Sequence, residues 1–468
     1  MTRRFAVRLH IISADTREET GRRIGVSACR RVGVHRSTFG GCGPKFARFK
    51  RQSETLRLLR VSPTRRYADP FLPPSNGQAT LFHLLSPESR SPSVTRMNQI
   101  FEKANQWLND LVSYVPGKPI EDVARELGLE PSQIVKLASN ENPLGPSPMA
   151  VKAMQEALLK AHFYPDGGGY HLRVGIAEKF GLSIDNVMLG NGSNEIIEFL
   201  GHAFLQPGDN IVTAEHAFVV YKILAKLFGA GAVEVPDPNL THDLAAMADA
   251  INDRTRIVYI ANPNNPTGTM VSESELDRFV DRVPKSVVVA LDEAYYEFLP
   301  EPPDTLKYMR NHPNVIALRT FSKIQGLAGL RIGYGLAHEE LIRLLQKTRQ
   351  PFNVNSIAQA GALAGMRDEA YQAQTREVVR QGRDFLQAEF RKRNLEFVPS
   401  VANFVLVKVG KGKEVFQKLL QRGMIVRAMD EYKLPAWIRV TVGTPDQNHR
   451  FLSDLDGVLT TDFTDSTD

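Results

Sequence analysis

Four turns in this 468-residue chain carry side chains that could do chemistry together. Asn262-Pro263-Asn264-Asn265-Pro266-Thr267-Gly268 supplies amides and a hydroxyl. Asp292-Glu293-Ala294-Tyr295 sets a carboxylate beside a phenol, and Thr320-Phe321-Ser322-Lys323 a hydroxyl beside an amine. Eight residues past that lysine stands Arg331, in Gly329-Leu330-Arg331-Ile332-Gly333-Tyr334. Each has a plain structural reading when taken alone. Asn-Pro and Thr-Gly are ordinary turn chemistry, a carboxylate after a strand often caps a helix, and a single Lys or Arg is usually solvated. Their order, each just after a short apolar run, is what makes the set informative. A fifth turn, Gly190-Asn191-Gly192-Ser193-Asn194-Glu195, lies between an apolar run and a helical one. Exposed backbone N–H groups and the helix dipole favour an anion at such a place.

The elements that must position these turns are legible as short β-branched runs. They are residues 186–189, 210–213, 256–260, 287–291 and 315–318, interleaved with helical patterns such as the one holding Tyr221 to Leu227. Runs of this kind, each ending in a polar turn, predict a mainly parallel sheet covered by helices on both faces. In such sheets ligands sit beyond the carboxyl ends of the strands, which is where all of these turns fall. Ile100, Ala104, Trp107, Leu108 and Leu111 predict one helix, and Ile120, Val123, Ala124 and Leu127 a second, stopped by Gly128. From about 380 to 460 the pattern becomes helix, strand 403–407, helix and strand 438–442, which predicts a smaller α+β lobe. No internal repeat is visible.

Together these turns resemble the fold-type I aminotransferases that depend on pyridoxal phosphate, over roughly residues 110–450. The resemblance implies a large domain with a mainly parallel seven-stranded sheet between helices, plus a smaller α+β domain. It implies that Lys323 forms the Schiff base with the cofactor aldehyde and acts as general acid–base. Asp292 matches the acid that keeps the pyridine nitrogen protonated, so that the ring accepts electrons from the substrate Cα. Asn265 and Tyr295 match the pair that hydrogen-bonds the ring oxygen. Gly192, Ser193 and Asn194, with Ser322 and Arg331, match the phosphate contacts, and Phe218 matches the aromatic that stacks on the ring. Tyr164 matches a tyrosine donated to the cofactor phosphate across a dimer interface, which implies a homodimer with shared sites.

The segment Ser139-Asn140-Glu141-Asn142-Pro143-Leu144-Gly145-Pro146-Ser147-Pro148 is similar to the one that closes over the site in histidinol-phosphate aminotransferases, and points to Asn142 as a substrate contact. Residues 351–356 are also typical of that group. Arg439 matches the arginine whose fork binds the α-carboxylate, a geometry that a lysine does not copy, and Arg427 matches the one that helps hold the substrate phosphate. The implied reaction converts glutamate and imidazole-acetol phosphate to 2-oxoglutarate and L-histidinol phosphate, in L-histidine biosynthesis. Transamination of phenylalanine or tyrosine is the alternative, and decarboxylation of threonine phosphate a more distant one. Gln325 departs from the family, which usually has an aromatic there, so cofactor-edge packing or substrate preference is expected to differ slightly.

Composition divides the chain. Of its residues 42% are hydrophobic, 24% charged and 8% aromatic, an ordinary globular balance that excludes collagen, a coiled coil and wholesale disorder. The net charge of +6 is uneven: residues 1–96 carry 17 Arg, 2 Lys and 6 acids, or +13, and the remainder −7. Six prolines between 61 and 93 interrupt any regular element. Residues 1–96 are therefore expected to be a disordered or mistranslated leader ahead of a true start at Met97. A transit peptide and a basic nucleic-acid-binding arm are the competing readings. The remaining divisions expected are an arm with part of the small domain (97–145), a cofactor-binding domain (146–350) and a C-terminal small domain (351–468). A regulator with a winged-helix domain ahead of an aminotransferase-like domain is disfavoured, because 1–96 lacks three capped periodic helices. A cofactor-binding protein without turnover is disfavoured by Lys323, Asp292 and the two arginines. Two cysteines in the whole chain exclude a disulfide scaffold and fit a reducing, cytoplasmic setting. No apolar run is long enough to span a membrane, and no metal, nucleic-acid or membrane partner is expected.

Overall fold

The computed structural model describes residues 101–114 and 116–464, with side chains up to residue 460. The expectations for 1–96 and for a start at Met97 lie outside the described residues.

In chain order the strands are β1 (Val135–Lys136), β2 (Val187–Gly190), β3 (Asn210–Ala214), β4 (Gly231–Val235), β5 (Thr255–Ala261), β6 (Val288–Asp292), β7 (Val315–Thr320), β8 (Gly333–Ala337), β9 (Phe397–Val398), β10 (Phe404–Lys408), β11 (Met424–Ile425), β12 (Arg427–Ala428) and β13 (Trp437–Thr441). Seven form one sheet in the order β2-β8-β7-β6-β5-β3-β4. Neighbours from β4 through to β7 run parallel, and β8 runs antiparallel to both β7 and β2. Every residue of β6 and β7 is buried, as a strand covered on both faces requires. Parallel neighbours need crossovers, and the chain supplies helices such as Ser193–Phe204, Val220–Leu227 and Glu273–Arg282. The last begins in a capping box made by Ser272 and Glu275.

The later chain builds an antiparallel sheet in the order β12-β13-β10-β9, backed by the long helix Glu369–Lys392 and the final helix Pro445–Thr464. Its core joins Leu386, Phe390, Val405, Val407, Val440 and Phe451 to Leu137 from early in the chain. The pair β1–β11 continues that early connection, with Val135 beside Met424.

Two expectations change. The helix expected across 100–111 is interrupted: residues 101–103 are helical, and a separate 3₁₀ turn, Gln106–Leu108, follows where Trp107 packs onto the body. Its Nε1 donates to the Leu227 carbonyl at 3.0 Å. The second expected helix forms as Ile120–Leu127, with Gly128 as its left-handed cap at φ +67°. Strand β8 was not among the expected runs, since Gly333 and Gly335 give it little β character. A Cβ on Gly333 would stand 2.4 Å from the Ser193 backbone nitrogen, so that close packing demands glycine.

Candidate active site

The carboxyl ends of five strands open into one cavity of about 630 Å³. Strand β2 delivers Gly192, Ser193 and Asn194; β3 delivers Phe218; β5 delivers Asn265; β6 ends on Asp292; and β7 leads to Ser322 and Lys323. Registry fixes their spacing, because Ala261 lies beside Asp292 and Asp292 beside Leu318. Arg331, Arg427 and Arg439 complete the walls, with Tyr114, Ser139, Asn140, Glu141, Tyr295 and Tyr432.

At one end of the cavity an anion cradle forms. Gly192 has φ +77° and opens the twelve-residue helix Ser193–Phe204, so the first N–H groups of that helix face the cleft wall. Arg331 stands over this turn in a left-handed conformation, with its Nη1 3.4 Å from Ser322 Oγ and 3.0 Å from the Ala328 carbonyl. A Cβ on Gly192 would meet Arg331 Nη2 at 2.7 Å, so the arginine fills the space that glycine leaves. Ser322 is held in turn by Thr320, whose Oγ1 donates to Ser322 Oγ at 3.0 Å.

Asp292 is buried, and accepts a hydrogen bond from the Tyr221 hydroxyl at 2.6 Å and another from the Ala294 N–H at 3.2 Å. Burial raises its pKa, and those two donors act against the rise. Tyr221 is fully buried, stacked on Tyr259 at 4.5 Å and edge-on to Phe218 at 5.6 Å. Its own pKa is driven far up, first by burial and then by the Asp292 charge.

Lys323 is half-buried on the cleft wall. Its Nζ donates to the Ser139 carbonyl at 3.1 Å and lies 5.6 Å from the centre of the Tyr295 ring. Burial, followed by the nearby Arg439 charge, lowers its pKa from 10.5 to about 8, while Glu141 and Asp292 oppose the fall. A useful fraction of this amine is therefore neutral near pH 8. Burial pushes the Tyr295 phenol up to about 12 despite Arg439 and Asn140. The Asn140 amide donates to the Tyr295 hydroxyl at 2.9 Å.

Arg427 and Arg439 sit directly opposite each other across β12 and β13. Arg439 donates from Nη1 to Asn265 Oδ1 and from Nη2 to the Ala138 carbonyl at 2.9 Å, while its Nε is buried without a partner. Arg427 forms an ion pair with Glu431 and lies 5.6 Å from the Tyr114 ring.

Three residues singled out from the sequence lie off the cavity wall. Asn142 does not line the cavity: its amide donates to the Ile324 carbonyl at 2.8 Å and its Oδ1 accepts from the Leu144 N–H, so it ties segment 139–148 to the lysine loop. Asn140, two residues earlier, faces the site in its place, at φ +54° and with 1% exposure. Tyr164 is 83% exposed and stacks on Phe352 at 4.9 Å, away from this chain's cleft. Gln325 does not edge the cavity either. It is buried beside Glu297, behind the lysine loop, where a carboxylate raised by burial meets the Arg319 charge. Sequence reasoning missed Asn140, Tyr221 and Tyr114. A signal for Tyr221 existed, because it falls at the start of the helix Val220–Leu227, only three residues after Phe218. Glu215, His216 and Asp237 also come within 4.8 Å of one another, where His216 Nδ1 pairs with Asp237 Oδ1 at 2.6 Å and Lys433 binds Glu215.

A doubly wound sheet with an amine, a buried acid and an anion cradle at its strand ends defines the fold-type I aminotransferase architecture. The family description that matches the chain, over residues 132–455, is aminotransferase class I and II, and the chain belongs to that family. A histidinol-phosphate aminotransferase of Akkermansia muciniphila is 52% identical over 357 residues, covering 76% of this chain and 98% of that protein. The one from Moorella thermoacetica is 48% identical over 361 residues, covering 76% and 93%. Among solved structures, the histidinol-phosphate aminotransferase from Sinorhizobium meliloti in complex with pyridoxal-5'-phosphate superposes with a TM-score of 0.71 at 25% identity, covering 77% of this chain and 98% of that one.

Proposed function

We propose that this chain transfers the amino group of glutamate to imidazole-acetol phosphate, yielding 2-oxoglutarate and L-histidinol phosphate in L-histidine biosynthesis, with pyridoxal phosphate as cofactor. The observation that carries the reading is the meeting of Lys323, Asp292 and the Gly192–Arg331 cradle with two arginines in one cavity. The relatives named above, which act on histidinol phosphate by name, support it.

The residues fit the cofactor. The N–H groups at Gly192, Ser193 and Asn194, the Ser322 hydroxyl and the Arg331 guanidinium would hold its phosphate. Asp292 would face the ring nitrogen, Asn265 and Tyr295 the ring oxygen, and Phe218 the ring face. Bound there, pyridoxal phosphate supplies an electron sink for the charge left when the substrate Cα loses its proton. The protein's own part is positional and acid–base. Asp292, held by Tyr221, would keep a proton on the ring nitrogen opposite its carboxylate. Lys323 Nζ, neutral in part near pH 8, would take the Cα proton and return it two bonds away, to the carbon beyond the amino nitrogen. Arg439 forks onto the α-carboxylate of glutamate, and Arg427 receives the distal anion, phosphate or carboxylate in turn.

The active unit is a homodimer in this reading, with exposed Tyr164 reaching the partner's cofactor phosphate. Domain limits near 145 and 350 and a cytoplasmic setting belong to the same proposal. Among the described residues no helix is long and apolar enough to cross a membrane. The test is a panel of amino acceptors with glutamate as donor, comparing imidazole-acetol phosphate, phenylpyruvate and 4-hydroxyphenylpyruvate. The phosphate ester should lead in kcat/KM, and a clear lead for phenylpyruvate would replace this reading by the aromatic one.

A further inference from the structure

The two cleft arginines are treated differently by their surroundings. Arg439 is held by two neutral acceptors, the Asn265 amide oxygen and the Ala138 carbonyl, so its full charge stays available to a ligand. Arg427 already faces a carboxylate, because Glu431, four residues on, forms an ion pair with its guanidinium. Two guanidiniums directly opposite on neighbouring strands repel, and Glu431 offsets one of them.

The turn that carries Glu431 is fixed in place. It is the 3₁₀ turn Asp430–Tyr432, with Tyr432 buried at its end and Lys433 closing it at φ +60°. Lys433 Nζ then binds Glu215 at 3.1 Å and Glu234 at 3.0 Å, which pins the turn to residues beside β3 and β4. Glu431 lies outside the cavity wall that Arg427 lines, and its side chain is 29% exposed against 13% for Arg427. The carboxylate thus reaches the guanidinium from the solvent side, and can return to water at little cost.

We propose that Glu431 is a specificity-determining residue: a resident carboxylate that occupies Arg427 until the distal anion of the substrate displaces it. The inference rests on the reading of Arg427 as the contact for that anion. Binding at the distal subsite is then an exchange of one anion for another. The exchange costs a dianionic phosphate ester more than a carboxylate, because the displaced Glu431 carboxylate stays tethered near Arg427 by its pinned turn and repels twice the ligand charge. The consequence is a tempered hold on the phosphate of both substrate and product, in a site that must also release and rebind glutamate.

The test uses the holoenzyme with Glu431→Gln, Arg427→Gln and the double variant. Read out are KM for imidazole-acetol phosphate and for glutamate, and inhibition by inorganic phosphate. Removal of the carboxylate is expected to lower KM for the phosphate ester and tighten inhibition by phosphate roughly two- to fivefold, the span of a partly exposed ion pair, with a smaller gain for glutamate. Arg427→Gln should raise the same constants, and in its background Glu431→Gln should bring no gain. The proposal is overturned if Glu431→Gln raises those constants, which would make Glu431 a mere orienting partner of Arg427. It is equally overturned if they do not move, or if the gain persists without Arg427. If Arg427→Gln leaves the phosphate ester's KM unchanged, the underlying reading of Arg427 fails, and the proposal falls with it for that distinguishable reason.

Discussion

Replacing Lys323 by methionine should stabilise the cofactor-free protein while abolishing its activity. The amine is an ionisable group lodged against a cleft wall, and its pKa falls from 10.5 to about 8 chiefly through burial. A shift of that size corresponds to ~3 kcal/mol of penalty on the charged form. Cleft water screens part of it, and methionine forfeits the bond from Nζ to the Ser139 carbonyl, worth ~1 kcal/mol. The net gain expected at pH 7 is therefore about 1–2 kcal/mol, because methionine conserves volume and carries no charge. Its pH dependence gives the sharper test. The folded pKa lies below the unfolded one, so the native state binds fewer protons between pH 8 and 10.5, and parent stability rises through that window. The penalty is complete below pH 8 and gone above 10.5. The advantage of Lys323→Met should then be constant up to about pH 8 and shrink steadily beyond it. Urea unfolding of both apoproteins, compared at matched pH values from 6.5 to about 10, measures this difference. A variant that is less stable at pH 7, or whose advantage stays the same at pH 10, would refute the reasoning.

Three further outcomes follow from the geometry. Tyr221→Phe keeps the stack on Tyr259 but strips the 2.6 Å hydrogen bond from buried Asp292. A lost bond to a charged group costs about 1.5–3 kcal/mol, so kcat or cofactor affinity should fall at least about tenfold, and wild-type values for both would show that the hydroxyl does not support the acid. Arg439→Lys removes the fork while keeping the charge, and should cut kcat/KM for glutamate by roughly one to two orders of magnitude, against little change in folding midpoint. Gly326→Ala would drive a Cβ to 1.9 Å from the Gly145 carbonyl oxygen at φ +70°. Neither backbone can give way cheaply, so unfolding free energy should drop by ~2 kcal/mol or more, together with the affinity for the cofactor.

The parts of the site legible in the sequence are those carried by single strand ends. Asp292, Ser322, Lys323 and the turn at 190–195 each follow an apolar run directly, and strand periodicity placed them without knowledge of any distant partner. The parts that were not legible depend on segments far apart in the chain. Strand β8 is held by close packing of Gly333 on the Ser193 turn, which no β-propensity reports. The expected 100–111 helix breaks after residue 103, where Trp107 docks on Leu227, a contact across 120 residues. Asn140 and Asn142 differ by two positions, and only the left-handed backbone at Asn140 decides which of them faces the cavity. Gln325 was expected to touch the cofactor edge, but the turn of the lysine loop sends it backwards to Glu297.

Asn140 has one more consequence, in the order of synthesis. Its N–H donates to Thr441 Oγ1 across 301 residues, its carbonyl accepts from Asn403 across 263, and its amide reaches Tyr295 across 155. The catalytic centre is thus closed by a clasp whose last member, Thr441, is made long after the lysine and the acid. A nascent chain that has completed the seven-stranded sheet still lacks the partners that hold Asn140 against the Tyr295 phenol. Contacts of such long separation form late in folding. Cofactor capture therefore waits until the chain has passed Thr441, and a chain stalled before it would carry the lysine, the acid and the cradle without a closed site to use them.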